Sequence, residues 1–314
     1  MKIYYSIMAL ISAVILVFAI VNKNSKVETV YLSHDGIERR TLINVPETNN
    51  KDELPLVLVF HGLLGNSEYT MKTYGFTELS NEKHFIVAYP EGTGELNTLL
   101  LSWNAGFCCG YAQEHKIDDV GYIVNLLSVI KERYRVDKNR IYLIGFSNGG
   151  MITYRLISEH PELFTGAAII SSSPSGGENE DSQTRIKPPE STVPLIVFHG
   201  ELDTIIPYYG GYSGEEIEAG IYFPSIPESV KCWANAMGAH SVKELSLEDG
   251  NVIFRKYLDI TGNPIIEFYT LTVEGHTLPG RVKGIQSVLQ KGESTLSAKE
   301  IIWDFFERIA FEGF

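Results

Sequence analysis

A serine lies in a glycine-rich turn, within the run GFSNGG from Gly145 to Gly150. The largely apolar segment Arg140–Ile144 precedes this turn, and the pattern from Gly149 to Glu159 predicts a helix after it. A G-x-S-x-G sequence between a strand and a helix is typical of a nucleophile elbow, which exposes the serine hydroxyl. The helix N-terminus also favours negative charge that develops beside it. We therefore predict that Ser147 is a nucleophile.

A serine nucleophile needs a base that accepts its proton, and the base needs an acid that orients it. His276 lies in a loop after a late predicted strand, where the catalytic side chains of an open α/β sheet gather. Asp203 follows the predicted strand Leu195–Phe198, and Glu201 is the alternative acid. The order serine, acid, histidine is the one expected after such an elbow. The predicted triad is Ser147, Asp203 and His276.

Acyl transfer also needs two N–H donors for the oxyanion that forms in the transition state. The residue after the nucleophile, Asn148, supplies the first through its backbone. The second is expected in the loop His61–Gly65 (HGLLG), which follows the first long apolar strand. We assign it to Leu63, with Leu64 as the alternative.

The chain shows no pattern that requires a metal or another cofactor. Asp118 and Asp119 open a predicted helix, where carboxylates complement the helix dipole, so we interpret them as capping residues. Cys108 and Cys109 are adjacent and lack the C-x-x-C spacing of a zinc site. We therefore expect no cofactor and no metal.

Short apolar runs alternate with segments of helical periodicity, which predicts an α/β fold with a mostly parallel central sheet and helices on both faces. The predicted strands are Val27–Ser33, Ile37–Val45, Leu54–Phe60, Phe85–Tyr89, Arg140–Ile144, Ala167–Ile170, Leu195–Phe198, Val252–Tyr257 and Ile265–Leu271. The predicted helices are Ser67–Ser80, Ile117–Tyr134, Gly149–Glu159, Pro227–Met237 and Ser297–Phe311.

The chain has 314 residues, of which 44% are hydrophobic, and its formal net charge is -13. This length and composition fit one large domain, which we place at residues 23–314. A surface of this charge repels nucleic acid and anionic membranes, so neither is an expected partner. It suits a neutral or weakly charged substrate. Nothing in the composition predicts an oligomeric state.

Residues 1–22 have the pattern of an export signal. Lys2 is followed by an uncharged, mostly apolar run from Ile3 to Val21. Small residues at Val17 and Ala19 allow cleavage after Ala19, while the run is also long enough to remain as a membrane anchor. We expect an exported protein, secreted or periplasmic, with membrane contact only if residues 3–21 are retained.

Seven groups of residues, from the first buried strand to the last helix, match one known family. In them the chain resembles carbohydrate esterase family one, which includes feruloyl esterases, acetyl-xylan esterases and polyhydroxybutyrate depolymerase-like proteins. The matching segments are His61-Gly62, Ser102–Gly110 (SWNAGFCCG), Ile117–Gly121 (IDDVG), Gly145–Met151 (GFSNGGM), His199-Gly200 with Asp203 and Pro207-Tyr208, Gly275–Thr277 with Pro279-Gly280, and Ile302–Phe306 (IWDFF).

The resemblance implies an α/β-hydrolase fold, a Ser/Asp/His triad, no cofactor and ester substrates. It favours a secreted serine carboxylic ester hydrolase that removes feruloyl or acetyl groups from xylan-type plant cell-wall polysaccharide. A polyhydroxybutyrate or polyester depolymerase is the alternative, although Asn148 after the nucleophile is more like the feruloyl esterase branch. A serine peptidase, which uses the same triad, and a non-catalytic binding protein on a hydrolase scaffold are further readings.

The loop before the long helix predicts the substrate-binding residues. Trp103, Asn104 and Tyr111 lie around the double cysteine, and exposed aromatic rings there would stack on a sugar or an aromatic acyl group. The alternative for Trp103 is a place in the core. The family often has tryptophan where Leu278 stands, so we count Leu278 as part of the pocket wall.

The resemblance also bears on the disulfides. In the family, the double cysteine often has a partner at the position that corresponds to Ala239. Cys232 lies seven residues earlier, which is about 10 Å along a continuous helix. The family's disulfide is therefore not matched by this sequence.

Overall fold

The computed structural model describes residues 26–48, 52–96, 98–214, 220–280 and 295–312. The predicted export signal, residues 1–22, lies outside the described residues. Ten strands form one large sheet. They are β1 (Lys26–His34), β2 (Ile37–Val45), β3 (Leu54–Phe60), β4 (Ile86–Pro90), β5 (Val136–Phe146), β6 (Gly166–Ile170), β7 (Leu195–Gly200), β8 (Ser241–Leu247), β9 (Val252–Leu258) and β10 (Pro264–Leu271).

The strand order in the sheet is β1-β2-β4-β3-β5-β6-β7-β10-β9-β8. The six central strands from β4 to β10 are parallel, and the two strands at each edge run antiparallel to their neighbours. The helices are α1 (Ser67–Tyr74), α2 (Phe76–Lys83), α3 (Gly110–Glu114), α4 (Asp119–Arg133), α5 (Asn148–Glu159), α6 (Ile226–Ala236) and α7 (Ala298–Glu312). The predicted α/β class with a mostly parallel sheet is confirmed.

The central strands are buried on both faces. In β3, Leu56, Leu58 and Phe60 belong to one apolar cluster, while Val57 and Val59 belong to a second. Alternate side chains of a strand point to opposite faces, so the two clusters are the two layers between sheet and helices. This explains why β3 reads as a continuous apolar run, as expected for a parallel strand covered on both sides.

Helix α4 begins and packs as the sequence predicts. The side chain of Asp118 caps it by accepting a hydrogen bond from the N–H of Gly121, at 3.0 Å. Asp119 has another role, because it is fully buried in an ion pair with Arg39, at 2.6 Å. The capping interpretation is therefore right for Asp118 and wrong for Asp119.

The structure differs from the prediction in three places, the first being the short helix α3, which was not predicted. The expected helix Ser67–Ser80 is divided into α1 and α2 at Gly75, which adopts a left-handed φ of 77° that glycine tolerates at little cost. Strand β8 is absent from the prediction, because all seven of its residues are exposed and no apolar alternation marks it. It pairs only with β9, at the edge of the sheet.

The disulfide that the family resemblance implies is not formed by the cysteines of this chain. Cys108 is bonded to Cys109, and Cys232 in α6 is free and exposed. Within the described ranges, no helix is both long enough and apolar enough to cross a membrane.

Candidate active site

Ser147 sits in a tight turn between β5 and α5. Its backbone has a φ of 56° and a ψ of -123°, a conformation that residues other than glycine rarely adopt. The N–H of Ser147 donates to the carbonyl of Ile170, at the end of the neighbouring strand β6, at 2.9 Å. A Cβ on Gly145 would overlap the carbonyl oxygen of Gly149, and one on Gly149 would lie 2.5 Å from the carbonyl oxygen of Phe60. Both glycines are therefore required by the close approach of helix and strands.

The three predicted triad residues meet at one edge of the sheet. The hydroxyl of Ser147 lies 2.9 Å from Nε2 of His276, and Nδ1 of His276 lies 2.8 Å from Oδ2 of Asp203. Asp203 follows β7 and His276 follows β10, and these neighbouring strands are parallel, so both loops emerge at the same edge. Ser147 is 8% exposed, whereas the carboxylate of Asp203 is fully buried.

The environment of Asp203 keeps it ionised. Burial raises the pKa of its carboxyl, but the ring nitrogens of His199 and His276, at 3.3 and 2.8 Å from Oδ2, outweigh burial and hold the pKa well below its usual range. Its other oxygen, Oδ1, accepts the N–H groups of Ile205 and Ile206, each at 2.9 Å. Asp203 is therefore fixed by three donors, which are His276 and the backbone N–H groups of Ile205 and Ile206. An ionised, fixed carboxylate is what orients the N–H of a triad histidine.

The alternative acid is engaged elsewhere. Glu201 accepts a hydrogen bond from the hydroxyl of Tyr209. The geometry therefore joins Asp203, and not Glu201, to His276.

The hydrogen bonds of the loop His61–Gly65 distinguish the two candidates for the second oxyanion donor. The N–H of Leu64 already donates to the carbonyl of Leu101 at 2.8 Å. Leu63 therefore remains the candidate. The first candidate, the N–H of Asn148, opens helix α5, where the N–H groups of the first turn have no partner within the helix.

Solved structures share this architecture. An acetyl xylan esterase from Aspergillus awamori superposes with a TM-score of 0.59 at 16% identity, covering 90% of this chain and 99% of that one. An S-formylglutathione hydrolase from Agrobacterium tumefaciens gives a TM-score of 0.55 at 13% identity, covering 92% of this chain and 97% of that one. The chain has the α/β-hydrolase fold. The predicted fold is therefore confirmed.

Sequence comparisons give further relatives of this chain. Residues 110–222, which include Ser147 and Asp203, match a family model described as Phospholipase/Carboxylesterase. A bifunctional acetylxylan esterase/xylanase from Neocallimastix patriciarum is 26% identical over 57% of this chain and 23% of its own length. A poly(3-hydroxyalkanoate) depolymerase C from Paucimonas lemoignei is 24% identical over 72% of this chain and 55% of its own length. A feruloyl esterase B from Piromyces equi is 24% identical over 76% of this chain and 42% of its own length.

The chain spans about half or less of the length of the first curated relatives it matches. The predicted resemblance to the feruloyl esterase, acetyl-xylan esterase and depolymerase group is confirmed by these relatives. The predicted enzyme class, a carboxylic ester hydrolase, agrees with the family model and with their names.

Trp103 is not on the surface of the protein, and its prediction as an exposed stacking residue is wrong. Its side chain is fully buried, with the ring edge-on to Phe60 at a centroid distance of 5.3 Å. Its indole N–H donates to the carbonyl of His61 at 3.0 Å. Its backbone N–H donates to the side chain of Asn148 at 2.7 Å, and the amide of Asn148 donates to its carbonyl at 2.9 Å. Trp103 thus ties the loop after β3 to the start of α5.

Two other predicted substrate-binding residues are also turned inward. Asn104 is buried, and its amide donates to the carbonyl of Ile117 at 2.8 Å. Leu278 is only 2% exposed and packs in one of the two core clusters. Core packing uses Leu278, so it offers no wall to a substrate, whereas Asn104 is held by main-chain bonding and lines a cavity away from the triad. Tyr111 is half-buried, and its ring stacks on His115 at a centroid distance of 4.0 Å.

His61 braces the loop His61–Gly65, which we call the oxyanion loop. Its Nδ1 donates to the carbonyl of Gly62 at 2.8 Å, and its Nε2 accepts the N–H of Gly92 at 3.0 Å. Burial lowers the pKa of His61 to about 4. The ring is therefore neutral at pH 7, as the acceptor role of Nε2 requires.

A buried ion pair between Arg39 and Asp119 was not predicted from the sequence. Arg39 donates to the carbonyl of Glu91 and pairs with Asp119, whose second oxygen accepts the backbone N–H of Asn104 at 2.7 Å. The guanidinium also lies 4.0 Å from the ring centroid of Tyr122. An arginine in a predicted strand, and an aspartate 80 residues later, carry no local signal of pairing.

Proposed function

We propose that this α/β-hydrolase is a serine carboxylic ester hydrolase that forms an acyl-enzyme on Ser147. One observation carries the proposal: the continuous hydrogen-bonded chain from Ser147 through His276 to Asp203, with distances of 2.9 and 2.8 Å. Nucleophile, base and orienting acid in contact are the arrangement that activates a serine hydroxyl.

Each group has a defined task in the proposed reaction. Nε2 of His276 accepts the hydroxyl proton while Oγ of Ser147 attacks the ester carbonyl, and ionised Asp203 stabilises the imidazolium that forms. The N–H groups of Asn148 and Leu63 donate to the carbonyl oxygen as it becomes negative. His276 then gives the proton to the leaving alcohol, which leaves an ester on Ser147. Water attacks this ester with His276 again as base, which releases the acid.

We propose acetyl or feruloyl groups on xylan-type carbohydrate as the substrates. The support comes from relatives named acetylxylan esterase and feruloyl esterase, which align with more than half of this chain. A net charge of -13 suits a polymer that is neutral or weakly charged. The apolar run Ile3–Val21 has the pattern of an export signal. Export would bring the enzyme to such polymers, which lie outside the cell.

A polyester depolymerase is the second candidate, and a specific observation favours it. Four large apolar side chains near the proposed machinery are exposed: Leu63 by 44%, Leu64 by 60%, Leu202 by 59% and Ile205 by 48%. The first two belong to the oxyanion loop, and the other two flank Asp203. Apolar residues in these places suit an aliphatic polyester chain better than a hydrated sugar. A depolymerase is also among the relatives.

A substrate panel on wild type and Ser147→Ala tests the proposal. It contains an aryl acetate, methyl ferulate, acetylated xylan, soluble hydroxybutyrate oligomers and casein. We expect hydrolysis of the first three, and a loss of roughly a million-fold in kcat in Ser147→Ala. Near-wild-type activity in that variant would contradict the proposal. Preference for the oligomers would select the depolymerase, and cleavage of casein alone a peptidase.

Export is tested separately by cell fractionation of the full chain. We expect the esterase activity, together with the chain, outside the cytoplasm, either free or held by residues 3–21. A full-length chain found wholly in the cytoplasm would overturn this part of the proposal.

A further inference from the structure

A cavity of about 500 Å³ lies away from the triad, at the other end of helix α5. It is bounded by the loop around Asn104, by the last turns of α5 and by the segment Thr184–Lys187. Arg155 contributes to it eight residues after Ser147, which is about 12 Å along the helix. No residue of the proposed triad or oxyanion pair lines it. The cavity is therefore separate from the proposed triad, and its volume lies in the range of small-ligand pockets.

The charge of this cavity is opposite to that of the whole chain. Its lining has four cationic side chains, Lys116, Arg155, Arg185 and Lys187, against the single carboxylate of Glu159. The chain as a whole carries -13. A concave basic patch on an acidic surface concentrates anions locally, since the field there is focused by the low-dielectric walls.

Arg155 is held ready for a ligand. Its Nε donates to Glu159 at 2.6 Å, and its Nη1 donates to the backbone carbonyl of Asn104 at 2.9 Å. These two bonds fix the plane of the guanidinium, and neither of them uses Nη2. A fixed guanidinium loses little entropy when it binds a carboxylate, and it matches the geometry of that group.

The floor of the cavity is also fixed. Asn104 is buried, and its backbone N–H donates to Asp119 at 2.7 Å. The preceding residue, Trp103, is bonded at both backbone groups to Asn148. By contrast, Lys116, Arg185 and Lys187 are exposed at the rim, where they can adjust to an anion.

We propose that this cavity binds the carboxylate of an acidic sugar, a uronic acid carried on the carbohydrate chain. In this proposal the fixed guanidinium takes the carboxylate, the rim cations neutralise it, and the hydroxyl groups of the lining residues Ser158 and Thr184 serve the sugar hydroxyls. The choice of a sugar rests on the proposed function, whereas the affinity for a carboxylate does not.

Calorimetric titration of the full chain tests this inference. Ser147→Ala serves as the binding protein, so that hydrolysis does not enter the measurement. The probes are xylotriose carrying one glucuronic acid, unsubstituted xylotriose and inorganic phosphate. We expect the acidic trisaccharide to bind at least tenfold more tightly than either other probe, and more weakly as salt is added. Equal binding of neutral xylotriose, or tighter binding of phosphate, would overturn the proposal.

A matched pair of double variants locates the site. Arg185→Ala with Lys187→Ala removes two exposed cations from the rim and should raise the Kd for the acidic trisaccharide at least tenfold. Arg135→Ala with Lys138→Ala removes two exposed cations next to the start of β5 and should leave it unchanged. Thermal unfolding checks that both remain folded. An unchanged Kd in the first pair would overturn the assignment. If the acidic sugar binds but wild type hydrolyses no ester, the proposed function fails while this site stands.

Discussion

At the scale of single residues, Asp203 carries much of the proposed chemistry through its contacts. It receives His276 on one oxygen and two backbone N–H groups on the other. We expect Asp203→Asn to lower kcat by roughly ten-thousand-fold, because the amide favours the wrong tautomer of His276. Steady-state hydrolysis of an aryl acetate measures this. The matched control is Glu201→Gln, two residues earlier, which should keep kcat. Equal losses in both variants would contradict the assignment of the acid.

The buried ring of His61 makes the stability of the protein depend on pH. Its pKa is about 4 in the folded state against 6.5 when unperturbed, because burial disfavours the charged ring. As pH falls from 6.5 to 4, the unfolded chain binds a proton that the folded chain does not, so stability is lost across this window. The loss from this one group is up to roughly 3 kcal/mol.

The variant His61→Gln tests this linkage. It keeps an acceptor for the N–H of Gly92 but has no group that titrates in this window. Urea unfolding at pH 7, 5.5 and 4 should show a smaller fall in the free energy of unfolding than in wild type. The same fall in both proteins would contradict a neutral, buried His61.

At the scale of elements, Trp103 joins the two segments that carry the proposed oxyanion donors. Asn148→Ala removes both side-chain bonds to the Trp103 backbone. We expect kcat for an aryl acetate to fall at least tenfold while KM changes little, because the N–H of residue 148 would lose its fixed direction. Trp103→Phe, which removes the indole N–H and part of the ring but keeps both backbone bonds to Asn148, should give a smaller fall. The control is Asn125→Ala on the exposed face of α4. A rise in KM alone would show that the contact serves binding.

The elements themselves were largely predictable from local patterns. Buried strands such as β3 and the amphipathic helix α4 are marked by their apolar periodicity, and the G-x-S-x-G turn between β5 and α5 by its context. Strand β8 was not predictable, because its side chains are all exposed. Neither was the burial of Trp103, whose partners lie 42 and 45 residues away in the chain. Local sequence carries no record of such contacts, so a loop tryptophan is readily mistaken for a surface residue.

At the scale of the whole molecule, the proposed mechanism uses only side chains and backbone groups of this chain. Among the described residues, one group, His34 with Asp35 and Asp118, has the spacing of a metal site. His34 already bonds to Asp118 and Asn125 through its two ring nitrogens, each at 2.9 Å. We expect extensive dialysis against a chelator to leave kcat/KM for an aryl acetate unchanged. Loss of activity that a divalent metal restores would contradict a mechanism that rests on the triad alone.

The central claim is that Ser147 is the nucleophile, and covalent labelling of the full chain tests it most directly. A fluorophosphonate reacts with a serine hydroxyl only where a base activates it. After incubation, intact-mass spectrometry should show one adduct per chain, and peptide mapping should place it on Ser147. Ser147→Ala should show no adduct, and His276→Ala should label far more slowly. An unlabelled wild-type chain, or an adduct that persists in Ser147→Ala, would contradict the account.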